Sequence, residues 1–182
     1  MDCIKTPISG LLVFEPRVYT DNRGSFIESF NQKVFNEHTN SEYSFVQDNQ
    51  SVSSKGVLRG LHFQNPPFEQ GKLVRVVRGC ILDVAVDIRK SSSTYGEHFS
   101  IELSAENHKQ LWIPPGFAHG FISLEEDTML LYKCTEYYNL QSEGAIHWND
   151  PDLNINWNAN SILVSEKDKL GEDFFSFATN FE

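Results

Sequence analysis

The chain has 182 residues, 40% of them hydrophobic and 22% charged, and its 25 acidic and 15 basic side chains leave a formal net charge of −10. That length favours one domain with a core of its own, and the acidic balance argues against a general nucleic-acid or membrane-surface role, which needs a basic footprint. Cys3, Cys80 and Cys134 are odd in number, widely spaced and without a Cys-x-x-Cys pair, against a disulfide framework or a zinc knuckle. The opening Met1-Asp2-Cys3-Ile4-Lys5 has no apolar signal region and no run approaches a membrane span, so a soluble, cytoplasmic protein is expected.

In chain order, Leu11 to Val18 and Gly24 to Phe30 are short apolar runs around Asp21-Asn22-Arg23-Gly24, a turn signal that predicts a hairpin. Even spacing puts Phe26 and Glu28 on one face of it. Gln32 to His38 has helical character and stops at Thr39-Asn40-Ser41. From Phe45 the pattern is strands and turns: Phe45 to Asn49, Val57 to Phe63, Gly71 to Val77, Cys80 to Ile88, His98 to Leu103, Gln110 to Ile113, His119 to Leu124 and Met129 to Tyr138. Short strands at this spacing, separated by breaks such as Asn65-Pro66-Pro67 and Pro114-Pro115-Gly116, read as an all-β, double-sheet jelly roll with short terminal helices. The stretch from about residue 151 is expected as a helical extension of the same domain, with Ser165 capping a helix that holds Asp168 in its first turn.

The most informative stretch is Gly56 to Gln64, an apolar strand interrupted by Arg59 and His62. Strict alternation sends those two to opposite faces, so a shared site demands a bulge or a strand end near Gly60. Jelly rolls bind ligands in the mouth between their sheets, and Arg23, Arg59 and Lys72 are cations in or beside apolar strands of an acidic chain. An anionic ligand, phosphate or carboxylate, accounts for them better than solvent does. Tyr132 and Tyr138 are evenly spaced on one predicted strand. A histidine base, acids to orient it, a lysine and a tyrosine are the parts needed to remove a proton beside a carbonyl, hold the enolate and return a proton elsewhere.

Pro114-Pro115-Gly116-Phe117-Ala118-His119 resembles the second sequence motif of the cupin superfamily, in which that histidine is often a metal ligand. The first motif lacks its His-x-His pair and following glutamate, so two histidines without a third ligand supply a metal poorly and none is expected.

Phe45 to Asn49, Gly56 to Gln64, Lys72 to Val76, Asp83 to Arg89, Gln110 to Phe121, Tyr132 to Tyr138 and Trp148 to Pro151 together resemble the dTDP-4-dehydrorhamnose 3,5-epimerase family, from Gly10 to about Asp168. The resemblance implies a cupin-type jelly roll, a homodimer and cofactor-free epimerisation of a nucleotide-linked 4-keto-6-deoxyhexose at carbons 3 and 5. It implies His62 as base, Asp168 as its orienting carboxylate, Tyr132 as acid and Lys72 as the cation at the enolate oxygen; Asp83 is the reserve partner for His62. It places ligand contacts on Arg23, Phe26, Glu28, Gln47, Asn49, Arg59, His119, Tyr138, Glu143 and Lys167, with Arg23 and Glu28 completing the neighbouring subunit's site. Leu140, Gly144-Ala145 and the tail after Asp168 depart from the family pattern. The competing readings are a single-carbon epimerase, an epimerase of another nucleotide sugar, and a non-catalytic cupin that binds a sugar nucleotide.

Overall fold

A computed structural model describes residues 1–182. Two antiparallel sheets face each other. The larger has six strands in the order β1 (Asp2–Lys5), β2 (Leu12–Glu15), β10 (Gln110–Ile113), β7 (Lys72–Arg78), β12 (Thr128–Cys134) and β5 (Gln47–Ser53). The smaller has five: β13 (Glu143–Ala145), β6 (Leu58–Gln64), β11 (Phe117–Ser123), β8 (Cys80–Asp87) and β9 (His98–Ser104). Strands β3 (Val18–Asp21) and β4 (Gly24–Ile27) form a separate hairpin. No helix is long and apolar enough to cross a membrane.

The sandwich buries three apolar layers, which is why its strands carry so many aliphatic and aromatic residues. Between the sheets lie Val74, Val76, Leu111 and Leu130 from one and Ile81, Ala85, Leu103, Phe117 and Phe121 from the other. The outer face of the small sheet, with Leu58, Leu61, Phe63, Val84 and Ile122, is covered by Ile146, Leu153, Trp157, Phe177 and Phe181 of the tail. The outer face of the large sheet packs Leu12, Phe14, Leu73 and Trp112 against Phe35 of helix α1 (Gln32–Thr39). Covered on both faces, β8 is buried at every position and shows no polar alternation. Asn31 caps α1 through its side chain, and Asn40 ends it in the left-handed conformation at φ 51°.

The bulge demanded near Gly60 is present. His119 pairs with His62 but Phe121 pairs with Arg59, so β6 holds one residue more than β11 between those two rungs. Leu58, Leu61 and Phe63 therefore face the tail while Arg59 and His62 both line the space between the sheets. Gly60 sits at φ +141°, and a Cβ there would lie 2.5 Å from Gly120 Cα. Only glycine fits that turn of the strand.

Several expectations need correction. The first apolar run breaks at Pro16, which cannot donate to a ladder: Leu12–Glu15 joins the large sheet and only Val18–Asp21 enters the hairpin. Glu28 lies beyond the end of β4 and does not share a strand face with Phe26; it accepts from Asn31 instead. Strand β5 starts at Gln47 and runs to Ser53, a polar strand because its inner face lines a cleft and its outer face is exposed. Strand β12 ends at Cys134, so Tyr132 and Tyr138 do not share a continuous strand; past that point side-chain amides replace the ladder, Gln47 accepting from Tyr138 N and Gln64 from Asn139 N. The helical extension after residue 151 is one 3-10 turn, Asp168–Leu170, within irregular chain. Asp150 organises that chain in place of helical bonding, its carboxylate accepting from Asp152 N, Leu153 N and Phe174 N. Lys167, not Ser165, is the residue that precedes this turn, and Ser165 contributes through its Oγ, which accepts from Asp168 N at 3.1 Å.

Gly60→Ala forces a positive-φ side chain against the β11 backbone, and a loss on the order of 2–4 kcal/mol is expected in denaturant unfolding, together with reduced turnover as Arg59 and His62 lose their common face.

Candidate active site

The inner faces of the sandwich change character along their length. One end is the apolar layer described above. At the other, β5 presents Gln47, Asn49 and Ser51, β6 presents Arg59 and His62, β7 presents Lys72, β11 presents His119 and β12 presents Tyr132. They line two adjoining clefts of about 700 and 330 Å³ that share His62, Lys72 and Tyr132. Leu163, Val164, Ser165, Lys167 and Asp168 of the tail form one wall of the larger cleft.

That wall is stitched at both ends. Leu163 bonds through its backbone to Gly56 and Leu58, and Glu172 to Ala145 and His147. Between these anchors Asp168 reaches His62, its Oδ1 lying 2.6 Å from Nε2 across 106 positions of sequence. Burial alone raises the Asp168 carboxyl, but hydrogen bonds from His62 and Ser165 outweigh it and hold the carboxyl below its ordinary range. An ionised Asp168 requires Nε2 of His62 to carry the proton, leaving Nδ1 with the basic lone pair. The histidine side chain keeps 30% of its surface exposed, against 6% for Asp168, so the pair is open on the side where a ligand would sit.

Lys72 is half-buried, with Nζ 3.5 Å from the His62 carbonyl oxygen. Burial pushes its ammonium downward, opposed by Cys134, Asp83 and Glu143. Burial raises the Tyr132 phenol, with Cys134 acting in the same sense and Arg59 against it, so it remains a proton donor at neutral pH. Arg59 donates to Ser53 Oγ at 3.2 Å. At the rim, Lys167 Nζ is 2.6 Å from both oxygens of Glu143, which also accepts from Tyr138 Oη at 2.9 Å. Burial raises the Glu143 carboxyl, yet the bonds from Lys167 and Tyr138 bring it below the ordinary value. Gln47 donates to Asn49 Oδ1 and accepts from the Tyr138 backbone, tying the rim to β5.

Eleven of the fourteen expected site residues thus meet in this region: His62, Asp168, Tyr132, Lys72, Gln47, Asn49, Arg59, His119, Tyr138, Glu143 and Lys167. Arg23, Phe26 and Glu28 do not. Arg23 and Phe26 line a hollow at the β3–β4 hairpin, where Arg23 is bound to Asp21. Asp83, the reserve partner for His62, is bound to His119 instead, at 2.9 and 3.1 Å. On β8 it is the register partner of Phe121, two residues from His119 on one face, and the diagonal reaches His119 rather than His62. Ser51 escaped notice because serine in a polar strand carries no signal of its own; its Oγ is buried without a partner. No group of three His, Cys, Asp or Glu side chains is placed to hold a metal ion.

Residues 5–175 match the family model described as dTDP-4-dehydrorhamnose 3,5-epimerase. The chain belongs to the dTDP-4-dehydrorhamnose 3,5-epimerase family. It is 53% identical over 174 residues to the dTDP-4-dehydrorhamnose 3,5-epimerase of Shigella flexneri, covering 96% of each chain. The crystal structure of the 3,5-epimerase of Legionella pneumophila in complex with dTDP-4-keto-L-rhamnose is 46% identical, with a TM-score of 0.94 over 97% of this chain and 94% of that one. A 3'-monoepimerase from Streptomyces bikiniensis in complex with dTDP-quinovose is more distant, at 33% identity and a TM-score of 0.88 over 92% of this chain and 85% of that one. At Gly144 the Phe63 ring occupies the space a side chain would fill.

The depressed Asp168 and Glu143 carboxyls contribute stability that is complete above the unfolded carboxyl values near pH 4 and is lost as pH falls through their lower folded values. Denaturation midpoints are therefore expected to fall below about pH 4, and Asp168→Asn, less stable at pH 7, is expected to show a shallower acid decline.

Proposed function

We propose that this protein converts dTDP-4-keto-6-deoxyglucose to dTDP-4-keto-L-rhamnose by inverting carbons 3 and 5. The observation that carries the reading is the His62–Asp168 pair, open to the same cleft as Lys72 and Tyr132. A ketone at carbon 4 acidifies the hydrogens on both neighbouring carbons. His62 removes one through Nδ1, and Asp168 supports the imidazolium that results. The electron pair moves onto the carbon 4 oxygen, where Lys72 meets a charge that develops only as the reaction proceeds. Tyr132 then delivers a proton to the opposite face as the ketone re-forms. Solvent restores both groups, and the cycle repeats at the second carbon. Only protons move and carbon keeps its oxidation level, so the electron balance calls for no cofactor.

Tyr138, Glu143 and Lys167 at the rim, with Gln47, Asn49, Arg59 and His119, would hold the sugar nucleotide; Lys167 and Arg59 offer positive charge to a diphosphate. The working unit is a homodimer of one-domain subunits in the cytoplasm. Every residue of β3 is exposed and Phe26 on β4 keeps 68% of its surface. A two-stranded hairpin so uncovered is marginal in water. Its Arg23, Phe26 and Glu28 gain a role if the hairpin lies over the partner's cleft.

With dTDP-4-keto-6-deoxyglucose and a coupled reductase, His62→Ala is expected to lose roughly 10²–10⁴-fold in kcat/KM; near-normal turnover would contradict the assignment. Tyr132→Phe keeps the base and loses the acid, so exchange of substrate hydrogen with solvent should outrun product formation in NMR time courses.

A further inference from the structure

Four acidic side chains lie wholly or almost wholly out of water, Asp83, Asp87, Asp150 and Asp168; Asp168 is the partner of His62, and two of the others are well supplied with donors. Asp87 accepts from Arg89, Ser92 and Thr94, and Asp150 from three backbone N–H groups. Asp83 is different. Its side chain has no exposed surface, and its oxygens meet one donor atom, Nε2 of His119. A buried carboxylate costs several kcal/mol unless it is amply bonded, and an apolar residue of like volume often serves packing better. Ile81 and Ala85, on the same face of β8, are such residues. Asp83 is poorly accounted for by folding alone.

What it touches is the floor of the cleft. His119 stands across the ladder from His62, lines the larger cleft and keeps 9% of its side chain exposed. A carboxylate accepts only, so Nε2 of His119 carries the proton and Nδ1 is left free. Asp83 also acts on Lys72. Burial pushes that ammonium downward, and the groups that oppose it are Cys134, Asp83 and Glu143. Cys134 is held as a thiol, its value raised first by burial. Glu143 is already paired with Lys167 at 2.6 Å. The other titratable groups around the Lys72 site, His62 on β6, His119 on β11 and Tyr132 on β12, bring no negative charge at neutral pH. Asp168, in the wall of the same cleft, is taken by His62 at 2.6 Å, and of the two carboxylates that act on Lys72, Asp83 is the one with no lysine or arginine bound to it.

We propose that Asp83 is a positioning residue for the epimerisation, fixing His119 so that Nδ1 accepts a hydroxyl of the bound sugar nucleotide and serving as the buried counter-charge of Lys72. The proposal rests on the epimerase reading, and it assigns Asp83 no contact with substrate. It acts through two groups that do make contact.

The test is Asp83→Asn, which keeps shape and removes charge. Relative to wild type, kcat with dTDP-4-keto-6-deoxyglucose is expected to fall about 10–100-fold, as for other residues that orient a working side chain. Affinity for dTDP should be unchanged. The alkaline limb of the kcat profile should move to lower pH, because Lys72 loses one of the charges that oppose its desolvation; this is the readout a purely structural role would not move. An unchanged kcat and an unchanged limb would overturn the proposal. Should the variant fail to fold, the wild-type protein carries the test. Imidazole ¹⁵N NMR with dTDP-glucose as a non-reacting probe should find His119 as the Nε2–H tautomer, with Nδ1 shifting on binding, and the Nδ1–H tautomer would overturn it. Wild-type protein that binds dTDP but never turns over the 4-keto sugar would sink the epimerase reading instead.

Discussion

The 2.6 Å contact between His62 and Asp168 depends on how the last thirty or so residues are held. Asp168 sits on irregular chain, in a single 3-10 turn with little stability of its own. Its position is inherited from elsewhere. Trp157, Phe177 and Phe181 bury themselves against the outer face of the small sheet, and backbone bonds from Leu163 and Glu172 pin the segment at each end. Hydrophobic burial on the outside of the sheet thereby sets a hydrogen bond on its inside. Chain order makes this necessary, because β6 and the tail meet only through the completed sandwich.

The same sheet does two jobs by dividing its inner face. Toward one end, aliphatic and aromatic residues fill the space between the layers. Toward the other, the inward positions of β5, β6, β7, β11 and β12 carry polar or charged side chains and the layers part into a cleft. The extra residue at Gly60 makes that division possible on β6, where the strand must offer Arg59 and His62 to the cleft and Leu58, Leu61 and Phe63 to the tail. A regular strand cannot meet both demands. The electrostatics follow from the geometry: a cleft walled by protein desolvates Lys72 and Tyr132, pushing the ammonium down and the phenol up, while Asp83 and Glu143 oppose the shift at Lys72 and Arg59 that at Tyr132.

Much of this was legible in the residues. The turn chemistry marked the strand breaks, and the strand pattern of Gly56 to Gln64 by itself demanded a bulge. The long ordered motifs carried the family and, with it, the residues that gather in the cleft. Other features were hidden for physical reasons. The tail has a helix-start signal at Ser165, but tertiary bonds to Asp150 and Ala145 outcompete the local tendency. Tyr138 reaches the rim over a loop whose backbone is satisfied by glutamine side chains, a route no periodicity reveals. Which histidine takes Asp83 is decided by a cross-strand diagonal, which exists only once the register is known.

Proton exchange beside the carbon 4 ketone is the event on which the proposed activity depends. The most direct measurement is NMR detection of deuterium entering the sugar of dTDP-4-keto-6-deoxyglucose from D₂O, with wild-type and His62→Ala proteins side by side. Label at both carbon 3 and carbon 5 with the wild type, and at neither with the variant, is the predicted result. Label at one carbon alone would mean a single-carbon epimerase, and a bound sugar nucleotide that exchanges at neither carbon would contradict the account outright.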